Sequence, residues 1–253
     1  MAVSLQRAGM WKRISAFLFD AILLGILAVL FAFLLSSVLG YDRYVDTLNR
    51  CYEAYGEQYG VDFQTSLSQY DSMTDEEKQQ LEEAYRAVGQ DEEAAYAYQM
   101  TIRLTILMVS LGILLACLIW EVLIPALLKD GQTLGKKIFS LGVMRSDGVR
   151  LGGVQLFVRS ILGKYTVEIM IPVLVAMMLY FGSTGLPGTL MILGLALVNG
   201  CLFLFTYAHT PIHDLLAGTV VVDLPSQRIF PTREDMIAFK ERMAAEKAAE
   251  KTF

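Results

Sequence analysis

The sequence predicts an all-α protein, a bundle of four transmembrane helices, on three observations. Of its 253 residues 55% are hydrophobic and only 19% charged, against about 45–50% and about 25% in soluble domains. The apolar residues fall in long blocks, not in the short periods of elements that face water on one side. Lysine and arginine gather at alternate ends of those blocks, as they do beside membrane-crossing helices. An extracytoplasmic helical insertion, a small cytoplasmic β-hairpin and a short amphipathic helix complete the expected fold.

Residues 1–40 hold the N-terminus and the first span, from about Ile14 to Leu39. That block is longer than the apolar region of a cleavable signal, so it is expected to remain as an anchor. Residues 41–100 form an acidic insertion with 14 Asp and Glu against four Lys and Arg, a net −10 in a chain of net −5. Within it Tyr41, Tyr44, Leu48, Tyr52, Tyr55 and Tyr59 recur at steps of three and four, one apolar helix face. Thr74 with Glu77 is a capping box opening a helix through about Val88. Residues 101–223 carry the remaining spans, 101–128, 165–181 and 189–207, each near the ~20 residues that cross ~30 Å of hydrocarbon. Residues 224–253 form a tail in which Met236, Phe239 and Met243 recur at helical spacing, an amphipathic helix suited to a lipid surface.

Orientation follows from the basic residues. Arg7, Lys12 and Arg13 precede the first span. Lys129, Lys136, Lys137, Arg145, Arg150, Arg159 and Lys164 fill the 129–164 loop, and Arg228, Arg233, Lys240, Arg242, Lys247 and Lys251 follow the fourth span. Four spans bring all three regions to one side, expected to be the cytoplasm, with both termini. The insertion and the uncharged 182–188 turn then lie outside, and the cell membrane is the expected location.

The 129–164 loop opens with Gly131-Gln132-Thr133-Leu134-Gly135-Lys136-Lys137, which lacks the spacing of a phosphate loop. Asp147-Gly148 between short strand-like runs is a hairpin signal. Residues 154–164 read as a short amphipathic helix whose Arg159 and Lys164 reach lipid phosphate or a carboxylate. The three cysteines, Cys51, Cys117 and Cys201, form no ligand spacing, so neither a metal nor a disulfide framework is expected. No cofactor is implied, and nothing suggests a nucleic-acid surface.

Ionisable residues inside spans are the candidate site, because each costs ~2.5–3.5 kcal/mol at the bilayer centre. Arg13 and Asp20 share one helix face, ~10 Å apart along the axis. Glu121, Glu168, His213 and Asp214 lie near the same leaflet, with Arg159 beside them and Asn199 deeper in the fourth span. Two readings stand. In one, Asp20, Glu121 and Asp214 converge with Arg13 on a cation or proton site, where paired carboxylates raise one pKa and let a proton compete. In the other, Asp20 only accepts hydrogen bonds that lock the first helix to its neighbours. His213 is expected to close the fourth span through a backbone group or Arg13.

These residues resemble the RDD family of membrane proteins, named for one arginine and two aspartates. The matching pieces are Arg13-Ile14-Ser15-Ala16-Phe17-Leu18-Phe19-Asp20, Gly131-Gln132-Thr133-Leu134-Gly135-Lys136, Asp147-Gly148 with Arg159, and the run from His213-Asp214 to Val222. Arg13, Asp20 and Asp214 take the name-giving positions, and the long insertion departs from the pattern. The resemblance implies cation/proton exchange of the Na⁺/H⁺ type at the membrane carboxylates. Four spans are few for a carrier, so a homo-oligomer follows. The alternative is a non-transport scaffold with an extracytoplasmic partner. With no nucleophile motif and no complete metal set, an enzyme is not expected.

Overall fold

Helices long enough to cross a bilayer need only length and continuous apolarity, and four of the helices here have both. The computed structural model describes residues 8–182, 185–206 and 209–250, the side chains of Leu67, Lys129 and 246–250 excepted. Arg7, Tyr207 and Lys251, and the side chains of Lys129 and Lys247, lie outside the described residues. In chain order the elements are α1 (Met10–Leu39), α2 (Tyr41–Tyr59), α3 (Leu67–Ser72), α4 (Asp75–Gln90), α5 (Glu92–Leu127) and α6 (Leu134–Ile138). They continue with β1 (Leu141–Arg145), α7 (Gly153–Tyr180), α8 (Gly185–Phe205), α9 (Ile212–Ala217), β2 (Thr219–Asp223) and α10 (Arg233–Glu250). Helices α1, α5, α7 and α8 have the length and composition to span a membrane. Val29, Phe33 and Val38 of α1 are 70–80% exposed, a surface suited to lipid.

Two of these helices extend beyond the spans expected of them. Helix α5 starts at Glu92, not near Thr101, because Asp91 caps it: Ala94 N–H donates to Asp91 Oδ1 at 2.8 Å. Helix α7 starts at Gly153, not near Tyr165, so the amphipathic 154–164 run and the apolar block form one helix. No breaker separates them, and Arg159 and Lys164 are neutralised by ion pairs described below.

Both α5 and α7 loosen into π-helical segments, Leu118–Leu123 and Val158–Met170. There the bonds reach five residues back, as from Ile124 N–H to Ile119 C=O and from Ile171 N–H to Thr166 C=O. Each segment ends just before a proline, Pro125 or Pro172. Proline has no N–H and crowds the carbonyl four residues earlier. Pro125 cannot donate within this helix, and Ser160 Oγ of α7 donates to the Glu121 carbonyl at 2.7 Å.

The chain divides into two compact units, Met1–Val29 with Ile113–Phe253, and Leu30–Gly112. In the second, Thr74 and Glu77 form the expected capping box, and α4 runs to Gln90. Leu81, Ala84 and Val88 are buried there with Ala94 and Ala97. The tyrosine face of α2 is covered by rings, Tyr52 against Phe63 at 5.0 Å and Phe63 against Tyr85 at 4.9 Å.

In the first unit β1 pairs antiparallel with β2, from Leu141 opposite Asp223 to Arg145 opposite Thr219. The Asp147-Gly148 turn exists, with a single bridge between Met144 and Arg150. Gly152 and Gly153 end its second arm early. The continuous, β-branched Val220-Val221-Val222 supplies the long partner, burying Leu141, Val143 and Met144. In α10 the apolar face expected on lipid is partly taken by protein: Met236 is buried and Phe239 packs on Phe230 at 5.3 Å.

Candidate functional site

The first unit buries an ionic network far from any water-facing norm, since charged side chains rarely lose solvent unless paired. Asp20, Glu121, Arg159 and Asp214 are all at most 4% exposed.

Asp20 lies on the buried stripe of α1 with Arg13 and Ala16. Its Oδ1 accepts from Trp120 Nε1 at 3.1 Å and from Gly135 N–H at 2.9 Å. Its Oδ2 accepts from the Thr133 hydroxyl, with Lys136 Nζ at 3.8 Å. The Gly-Gln-Thr-Leu-Gly-Lys run is therefore a clamp on Asp20. Thr133 caps α6, and a side chain at Gly135 would place Cβ 2.5 Å from the Ala16 carbonyl. Burial pulls the Lys136 ammonium down to about 8, with Glu121 opposing and Arg159 and Lys164 reinforcing the fall. Glu121 pairs with Lys164, one turn beyond the Ser160 that holds its carbonyl.

Asp214 is arranged differently. Its Oδ1 accepts from Arg159 Nε at 2.8 Å and from the Thr219 hydroxyl at 2.7 Å. Its Oδ2 is buried and has no hydrogen-bond partner among the described residues. Arg13 Nη2 stands 3.8 Å from it and His213 Nε2 3.6 Å. Burial would raise the Asp214 carboxyl, but the Arg159 charge and the hydrogen bonds from Arg159 and Thr219 outweigh it and hold the group well below the usual carboxylate range.

The described partners of the His213 ring are Glu168 and Arg159. Nδ1 lies 2.8 Å from Glu168 Oε2, and Nε2 lies 3.1 Å from Arg159 Nη2. A guanidinium only donates, so Nε2 accepts and Nδ1 carries the proton given to Glu168. The close approach of α9 and α7 depends on Gly163, where a Cβ would stand 2.6 Å from His213 Cα. Asn199 lines the cavity described below and accepts from Ile212 N–H at 3.0 Å at the start of α9.

These groups surround one cavity of about 540 Å³, whose polar lining includes Arg13, Asp20, Lys136, Lys164, Glu168 and Asp214. Apolar residues of α1 and α8, with Leu141, Val221 and Pro211, make its other walls. Asp20, Glu121 and Asp214 do not meet at a point. Each has its own cation, Lys136, Lys164 or Arg159, and all three cations line the cavity with Asp20 and Asp214, while Glu121 does not. Among the described residues no three His, Cys, Asp or Glu are placed to hold a metal ion.

Sequence reasoning missed Trp120, Thr133, Lys136, Ser160, Lys164 and Thr219 as members of this network. Thr133 and Lys136 stood inside a noticed motif, and Lys164 had a carboxylate as one expected target. Nothing local marked Trp120, Ser160 or Thr219.

The fold and the network define a polytopic membrane protein built around a buried ionic cavity. The model of the RDD family matches residues 7–218, and the chain belongs to that family. Comparisons with curated proteins and with solved structures give no match.

Proposed function

We propose that the chain exchanges protons for Na⁺ or a similar monovalent cation, and that Asp214, not Asp20, is the exchanging carboxylate. One observation carries the reading. Asp20 has hydrogen bonds on both oxygens, whereas Asp214 Oδ2 is buried beside the cavity and accepts no hydrogen bond among the described residues. A buried acceptor left unpaired costs about 1–3 kcal/mol, which a proton or a cation would recover. Arg13 Nη2 stands 3.8 Å from that oxygen while its guanidinium lies over the Phe203 ring, 5.3 Å from the centroid.

On this reading the positive loops and both termini face the cytoplasm, residues 41–100 face outward and the cell membrane is the location. The working unit is a homo-oligomer, and the protein is not an enzyme. The test is purified protein in proteoliposomes under an imposed pH gradient. Cation-dependent collapse of the gradient is expected. A rate no different from protein-free liposomes for Na⁺, K⁺ and Li⁺ would end the reading.

A second reading, a scaffold, is favoured by the separate compact unit Leu30–Gly112, which holds its own buried residues and a strong acidic excess. That composition suits a basic partner. Crosslinking that joins the protein only to itself would count against it.

A further inference from the structure

We propose that the cavity beside Asp214 binds a headgroup carrying both an ammonium and a phosphate, that of an amine-headed phospholipid entering sideways from the bilayer. The inference goes beyond the exchange reading and does not rest on it.

The mouth indicates the route. Phe17 and Leu18 of α1 and Ala196 of α8 line the cavity, and Phe17 and Leu18 are 57% and 54% exposed. They belong to helices whose apolar stretches are almost wholly unburied, 0% for α1 and 6% for α8. In a membrane those faces meet acyl chains, so the cavity opens to lipid. Its volume, about 540 Å³, lies in the ~300–1,000 Å³ range of organic ligands.

The floor indicates the headgroup. Asp214 Oδ2 has no hydrogen-bond donor among the described residues. A primary ammonium supplies N–H groups to it, and a trimethylated ammonium supplies none. Arg13 Nη2, at 3.8 Å from Oδ2, is too far to donate. The Arg13 guanidinium lines the same cavity, and a guanidinium suits the phosphate of such a headgroup. Lys136 and Lys164 line the same space and add positive charge toward the phosphate. An amine head seated there also occupies the position an exchanged cation needs, which makes the lipid a competitor of transport.

The experiment is native mass spectrometry of the full chain released from detergent. The probes are short-chain phosphatidylethanolamine, its trimethylated counterpart phosphatidylcholine, and tail-free phosphoethanolamine. The parent is expected to retain the ethanolamine lipid at least about tenfold over the choline lipid, because a site built for an N–H rejects the analogue lacking it. Asp214→Asn should bring that ratio toward one. Phe17→Trp, at an exposed position that spares the ionic network, should lower retention of the ethanolamine lipid by narrowing the mouth. Equal retention of the two lipids by the parent would overturn the assignment to Oδ2, as would a preference that survives Asp214→Asn. Phosphoethanolamine binding as tightly as the lipid, or full retention by Phe17→Trp, would overturn entry from the leaflet. No gradient is involved, so failed exchange leaves this result intact, and failed lipid selection leaves exchange intact.

Discussion

Replacing Asp20 is expected to unfold the first unit in a graded way that reports its hydrogen bonds one by one. Asp20→Ala leaves three buried donors without an acceptor: Trp120 Nε1, the Thr133 hydroxyl and Gly135 N–H. Each such loss costs about 1–3 kcal/mol, so a total of roughly 4–6 kcal/mol is expected after partial relaxation. That is comparable with the whole stability of many proteins, about 5–15 kcal/mol. Asp20→Asn keeps an oxygen for Trp120 and Gly135 but turns an amide toward Thr133 and removes the anion 3.8 Å from Lys136. About 2 kcal/mol is expected there. Denaturant unfolding in mixed micelles measures both. Trp120 is 8% exposed and Trp11 75%, and the chain has only these two tryptophans. A Trp11→Phe background therefore leaves one reporter, inside the network. An Asp20→Ala loss below about 1 kcal/mol, or equal losses for Ala and Asn, would refute the clamp.

Gly163→Ala should cost about 1–3 kcal/mol, the usual range for overpacking, because its Cβ would strike His213 backbone that cannot swing away; the same unfolding assay reads it. Ser160→Ala should cost about 1–3 kcal/mol, because it takes away the hydroxyl that donates to the buried Glu121 carbonyl; a loss below about 0.5 kcal/mol in the same assay would reject that role. The folded Lys136 value of about 8 lies below its ordinary 10.5, so between these pH values the unfolded chain binds more protons than the folded one. Stability should therefore rise with pH across that window, by on the order of 3 kcal/mol. Lys136→Met should remove the rise when unfolding is compared at about pH 7 and about pH 10.

Much of the fold was legible because its signals are local. Four apolar blocks, the Thr74–Glu77 box and the Arg13–Asp20 face each need fewer than about 30 contiguous residues to be seen. Helix ends were less legible: Asp91 as a cap lay hidden in an acidic run, and neutralised Arg159 and Lys164 let α7 begin early. The pairings were not legible at all. Asp214 finds Arg159 across 55 positions, and Asp20 finds Trp120 across 100. Charge types announced that a polar network must exist, since isolated charges are costly there, but which cation serves which carboxylate depends on packing. The distinction that matters most, a saturated Asp20 against an Asp214 with one empty oxygen, depends on Thr133, Gly135 and Thr219. No titratable pattern points to those residues.

That distinction is tested most directly by comparing Asp214→Asn and Asp20→Asn in the same proteoliposomes, with flux expressed per folded protein. Loss of cation/proton exchange in Asp214→Asn, with most of the parent rate kept in Asp20→Asn, is the expected result. Exchange that survives Asp214→Asn but vanishes in Asp20→Asn would contradict it and move the site to the clamp.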